Sequence, residues 1–95
     1  MGLRQHWDGM TKRRALLVRA ALPQLLRKMR GEAGLSQVAL AKRINRPQSF
    51  VSKYESGARR LDIVEVFEIC AACGITLTSF SGRLERAAAG EPKRG

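Results

Sequence analysis

Between residues 44 and 57 the chain reads INRPQSFVSKYESG. Placed on a helix at about 100° per residue, Phe50, Val51 and Tyr54 gather on one side, while Gln48, Ser49, Ser52, Lys53 and Ser56 fall on the other. The second side offers hydroxyls, a carboxamide and an ammonium, and it is nearly free of negative charge. Such groups give and take hydrogen bonds, but none is a nucleophile beside a base. Nor does the rest of the chain supply a catalytic set: it has one histidine, His6, no glycine-rich phosphate loop, and no carboxylate pair placed for acid and base work. No enzyme and no cofactor are expected. Cys70 and Cys73 fall short of a zinc site, which needs about four ligands. They sit at the C-terminal end of a predicted helix, where the dipole opposes a thiolate, so the sequence predicts thiols used for packing.

Charge narrows the partner. The 95 residues carry 18 Lys and Arg against 8 Asp and Glu, a formal +10, which favours a polyanion such as nucleic acid or an anionic membrane. The excess is confined to residues 1–60, with 14 basic and 3 acidic side chains, whereas residues 61–95 carry 4 and 5. No stretch approaches the ~18 apolar residues of a membrane span. ALLVRAAL is interrupted by Arg19 and lacks a cleavage site, so a cytoplasmic protein is expected. The length suits one small domain with one working surface.

Several helices must position the polar face. Residues 1–10 show no periodicity, and His6 and Trp7 support no role there. Thr11 can cap TKRRALLVRAA, and Pro23 is expected to end that helix and begin another, because proline fits a first turn but not a helix interior. Leu22, Leu25, Leu26 and Met29 then share one face up to Gly34. Ser36 caps SQVALAKRI, with Leu40, Ala41 and Ile44 inward, and Asn45 closes it in the left-handed region. After the turn Asn45-Arg46-Pro47, the next helix runs to Gly57. Asp62 caps DIVEVFEICAAC, for which Ile63, Val66, Phe67 and Cys70 form the expected apolar face. Gly74 stops it, and Thr76 or Thr78 starts a last helix with Leu77, Phe80 and Leu84 on one side. EPKRG reads as a frayed tail.

Two short helices joined by a three-residue turn, with a small residue where they touch, meet the demands of a helix-turn-helix. Counting from Gln37, Ala41 falls at the closest approach, Asn45 at the left-handed turn position, and Val51 and Tyr54 where the second helix must be apolar. On these residues LRKMRGEAGLSQVALAKRINRPQSFVSKYESGARRLD resembles the helix-turn-helix of the Cro/CI-type, or XRE, family of repressors. Residues 22–84, about two thirds of the chain, are similar to its five-helix domain.

The resemblance implies an all-α, lambda-repressor-like DNA-binding domain over residues 22–88, with motif helices at about 37–44 and 48–56. Residues 1–21 would be an extra, basic, partly helical N-terminal segment, and residues 89–95 a disordered tail. It implies that the second motif helix enters the DNA major groove. Gln48, Ser49 and Lys53 would then read base edges, and Ser52 is short enough to let the backbone come close. Their chemistry agrees: glutamine suits adenine, lysine suits guanine, and serine serves either. Gln37 resembles the family's phosphate-contacting glutamine, which can also brace Gln48. Arg46, Arg59 and Arg60 would flank the groove on phosphates. Arg30 would pair with Glu55, an orienting ion pair worth ~1 kcal/mol or less if partly exposed.

The expected partner is double-stranded DNA, bound by a homodimer on a palindrome, with Leu77, Phe80 and Leu84 as the dimer surface or else as core. An antitoxin is the alternative: it would bind a toxin protein through residues 1–21 or the last helix. A basic module for RNA or a membrane surface, with residues 12–30 as an amphipathic helix, is a third reading. Lys12, Arg13, Arg14 and Arg19 serve equally as a DNA-gripping arm or a solubilising helix. Lys42 and Arg43 read as solvated surface.

Overall fold

A computed structural model describes residues 9–90 of the chain. Among them are five helices: α1 (Gly9–Glu32), α2 (Gln37–Arg43), α3 (Gln48–Glu55), α4 (Ile63–Ala72) and α5 (Leu77–Ala88). His6, Trp7 and residues 91–95 of the tail lie outside the described residues.

The helix boundaries follow local chemistry. Ser36, Asp62 and Thr76 accept hydrogen bonds from the backbone N–H three residues on, at Ala39, Glu65 and Ser79. Asp62 and Glu65 form a reciprocal capping box. Asn45 takes φ 57° at the end of α2, where its N–H donates to Lys42 O and that of Arg46 donates to Ala41 O. These two bonds satisfy carbonyls that the helix end would otherwise leave open. Gly57, at φ 82°, ends α3 with the same pair of bonds, from Gly57 to Tyr54 O and from Ala58 to Lys53 O.

The break expected at Pro23 does not occur, and α1 continues through it. An interior proline costs about 3 kcal/mol. The turn after it, however, buries Leu25, Leu26 and Met29, at about 1.5–3 kcal/mol each. The half-buried proline ring also packs inward, its Cγ 4.0 Å from where a Cβ on Gly57 would lie. Core burial therefore outweighs the missing bond.

The core joins those residues to Leu40, Ala41, Phe50, Val51, Tyr54, Val66, Ile69, Cys70 and Phe80. Because the apolar face of residues 22–30 is spent on this core, it is not available to a lipid surface. Among the described residues no single helix is long and apolar enough to cross a membrane. Two expected faces shift. In α4 the inward residues are Val66, Ile69 and Cys70, whereas Ile63 and Phe67 are 66% and 55% exposed. This helix is apolar almost all round, so its periodicity fits either phase. In α5 Phe80 is buried and Leu77 and Leu84 pack against the core. Of the expected dimer stripe, Phe80 thus belongs to the chain's own interior, while Leu77 and Leu84 are partly exposed at its edge.

Candidate nucleic-acid interface

The two motif helices pack on each other, and α3 is pinned by its apolar side, since Phe50, Val51 and Tyr54 are all buried. The Phe50 and Tyr54 rings meet edge to face at 5.4 Å. Gln48, Ser49 and Lys53 lie exposed on the opposite side, with Ser52 partly covered between them. The N-terminus of α3 differs from those of α2, α4 and α5. Pro47 stands at its cap position and makes no side-chain cap; the Phe50 N–H donates to Pro47 O, and those of Gln48 and Ser49 remain open to an anion.

A hydrogen-bond chain links this face to the interior. Arg30 donates to Glu55 through Nε (2.7 Å to Oε2) and Nη2 (2.9 Å to Oε1), and through Nη1 to Leu35 O at 2.9 Å. Gln37 Nε2 donates to Glu55 Oε1 at 3.0 Å, and Gln48 Nε2 donates to Gln37 Oε1 at 2.7 Å. The Arg30 and Glu55 side chains are only 15% and 4% exposed. The pair is therefore more buried than the sequence reading assumed, and losing one member is correspondingly more costly. Its hydrogen bond to Glu55 raises the Arg30 guanidinium further above its ordinary value.

The arginines divide into two groups. Arg46 and Arg59 both lie over the Phe50 ring, at 4.5 and 4.7 Å from its centroid, and both reach Glu65, at 3.5 and 3.0 Å. Two guanidiniums share one carboxylate, so the cluster keeps a positive charge beside the polar face. Hydrogen bonds from Arg59 and from the Asp62 backbone hold the Glu65 carboxyl below the usual carboxylate range. Arg60 is exposed, and among the described residues no carboxylate pairs with it. Sequence reasoning did not single out Glu65, although the Asp62-to-Glu65 spacing signals a capping box. It also left Arg43 to solvent, whereas Arg43 donates to Ala72 O at 2.8 Å, at the carbonyl end of α4.

Two buried groups lie away from this surface. Cys70 is a buried free thiol, pushed up to about 11 by burial, and burial also raises half-buried Cys73. Both are poor thiolates at neutral pH. The Tyr54 hydroxyl is buried with no hydrogen-bond partner among the described residues, and burial drives its pKa upward.

Residues 26–80 match a family model described as helix-turn-helix. The structure is similar to that of an XRE-family like protein from Pseudomonas syringae pv. tomato, with 39% identity, a TM-score of 0.74, and coverage of 90% of this chain and 100% of that one. It is also similar to the clp gene regulator ClgR from C. glutamicum, with 25% identity, a TM-score of 0.64, and coverage of 77% and 88%. A comparison with curated proteins gave no match.

Proposed function

The chain belongs to the XRE family of helix-turn-helix DNA-binding regulators, and from that membership we propose that it is a transcriptional repressor acting in the cytoplasm as a homodimer on a palindromic operator. One observation carries the reading. Gln48, Ser49 and Lys53 stand exposed on a helix whose other face is locked into the core, between an uncapped helix end and a group of arginines. In this reading α3 lies in the major groove and reads base edges, while Gln37, Arg46, Arg59 and Arg60 hold phosphates.

One such domain reads few base pairs, so a two-fold dimer on half-sites about one turn apart gains both affinity and specificity. With Phe80 committed to the core, we assign the second copy to the exposed Ile63, Val64 and Phe67, which fall on one arc of α4 directly after the Arg59–Arg60 loop. Titration onto the DNA upstream of its own gene, and onto scrambled DNA, at several salt concentrations tests the reading. Tighter binding upstream at moderate salt is expected, and equal binding to both would sink it.

Leu16 and Leu17, 66% and 46% exposed on α1, favour a second reading in which a protein partner docks on that segment, as for an antitoxin. A small co-transcribed protein that co-purifies with the chain, and is lost on Leu16→Glu, would select it.

A further inference from the structure

We propose that the negative charge of Glu55 fixes the orientation of the Gln48 amide and thereby makes adenine, rather than guanine, the base read at that position. The inference deepens the function proposed above and rests on Gln48 facing a base edge.

An ionised carboxylate only accepts hydrogen bonds. Both Glu55 oxygens accept from Arg30, and Oε1 also has the Gln37 amide at 3.0 Å. Gln37 must therefore turn one Nε2 hydrogen to Glu55, keeping the other for a phosphate. Its oxygen is left facing out and meets the Gln48 amide at 2.7 Å. An oxygen there requires a donor, so Gln48 in turn presents Nε2. One charge at the inner end thus sets the order of donor and acceptor along both glutamines.

What remains to Gln48 is its Oε1, an acceptor, and the second hydrogen on Nε2, a donor. That pair complements the N6–H donor and N7 acceptor of adenine. Guanine offers two acceptors, O6 and N7, and Oε1 would face O6 with no hydrogen between them. With a neutral carboxamide at position 55 the order is free to reverse. Gln37 can then donate to Gln48 Oε1, leaving both Nε2 hydrogens outward to suit guanine. Glu55 is 4% exposed and acts through Gln37, as a positioning residue rather than a contact.

The test uses the full chain and a randomised duplex library to find the preferred site. The relevant position is the one whose preference Gln48→Ala removes. There the affinity ratio of A·T to G·C is measured for wild type, Glu55→Gln, Gln48→Ala and the double variant. Wild type should favour adenine by about tenfold or more, and Glu55→Gln should bring the ratio to within about twofold of unity. Binding to non-specific DNA should hardly change. In the Gln48→Ala background Glu55→Gln should move the ratio no further, a result that general loosening of the domain would not give. Gln37→Ala leaves the buried ion pair intact and should also collapse the ratio, which keeps the test open if Glu55→Gln does not fold. Guanine or a pyrimidine at that position in the wild-type site overturns the proposal. So does retention of the adenine preference by a folded Glu55→Gln or by Gln37→Ala; in both cases sequence-specific binding itself still stands. Absence of any sequence preference in wild type overturns both this inference and the function it rests on.

Discussion

Arg59 meets Glu65 along a two-pronged contact, Nη1 to Oε1 at 3.1 Å and Nη2 to Oε2 at 3.0 Å, while the same carboxylate accepts the Asp62 backbone N–H at 3.0 Å. A helix cap and a cationic surface are thereby joined through one side chain. The loop that carries Arg59 and Arg60 is set in place by the start of α4.

Glu65→Gln should accordingly weaken the fold in a pH-dependent way. A carboxyl whose pKa is lower folded than unfolded adds stability above its unfolded value, about 4.3, and loses it as pH falls through the folded value. Thermal melts should show the widest gap between wild type and variant near pH 6–7, closing below pH 4.

Removing Arg30 strands a carboxylate that is 4% exposed. Arg30→Ala should cost about 2–4 kcal/mol in urea unfolding, less than a fully buried pair and more than a surface one.

Base readers and phosphate holders should separate by salt dependence. Lys53→Ala should relax sequence preference by ~1–3 kcal/mol at the base pair it reads. Arg60→Ala should weaken all sequences alike and reduce the salt slope by about 1. Equal effects on specificity would contradict the assignment.

Tyr54→Phe removes a hydroxyl that is buried without a partner among the described residues. The melting temperature should stay level or rise, equivalent to ~0–1 kcal/mol, with DNA affinity unchanged.

Phe67→Glu tests the assigned dimer surface without opening the core, because Phe67 is 55% exposed. Sedimentation should show dimer association weakened by about 2 kcal/mol, roughly a thirtyfold rise in the dissociation constant, with the monomer's helicity intact.

The motif was legible because it rests on short-range rules. Asn45 at the turn, Ser36 and Asp62 as caps, and Phe50, Val51 and Tyr54 on one side of α3 are each dictated within a few residues. The Arg30 and Glu55 pair came from the family resemblance, being 25 residues apart in sequence. What escaped needed tertiary information. Pro23 argued for a break that only the burial of the following turn overrides. The phase of α4 is ambiguous in a helix apolar on most sides, and three contacts choose it: Val66, Ile69 and Cys70. Glu65 reads locally as a cap, and nothing local says that two arginines converge on it.

Pro23 leaves the Arg19 carbonyl without the amide hydrogen that every other turn of a helix supplies. The residues after it are anchored by Leu25, Leu26 and Met29, whereas Lys12 to Leu17 are all exposed. Helix α1 is therefore continuous, but its amide hydrogens before Pro23 should exchange faster than those of the turns that carry Leu25, Leu26 and Met29. Its outer half should open without the domain unfolding, while the polar face of α3, held by buried Phe50, Val51 and Tyr54, stays in place.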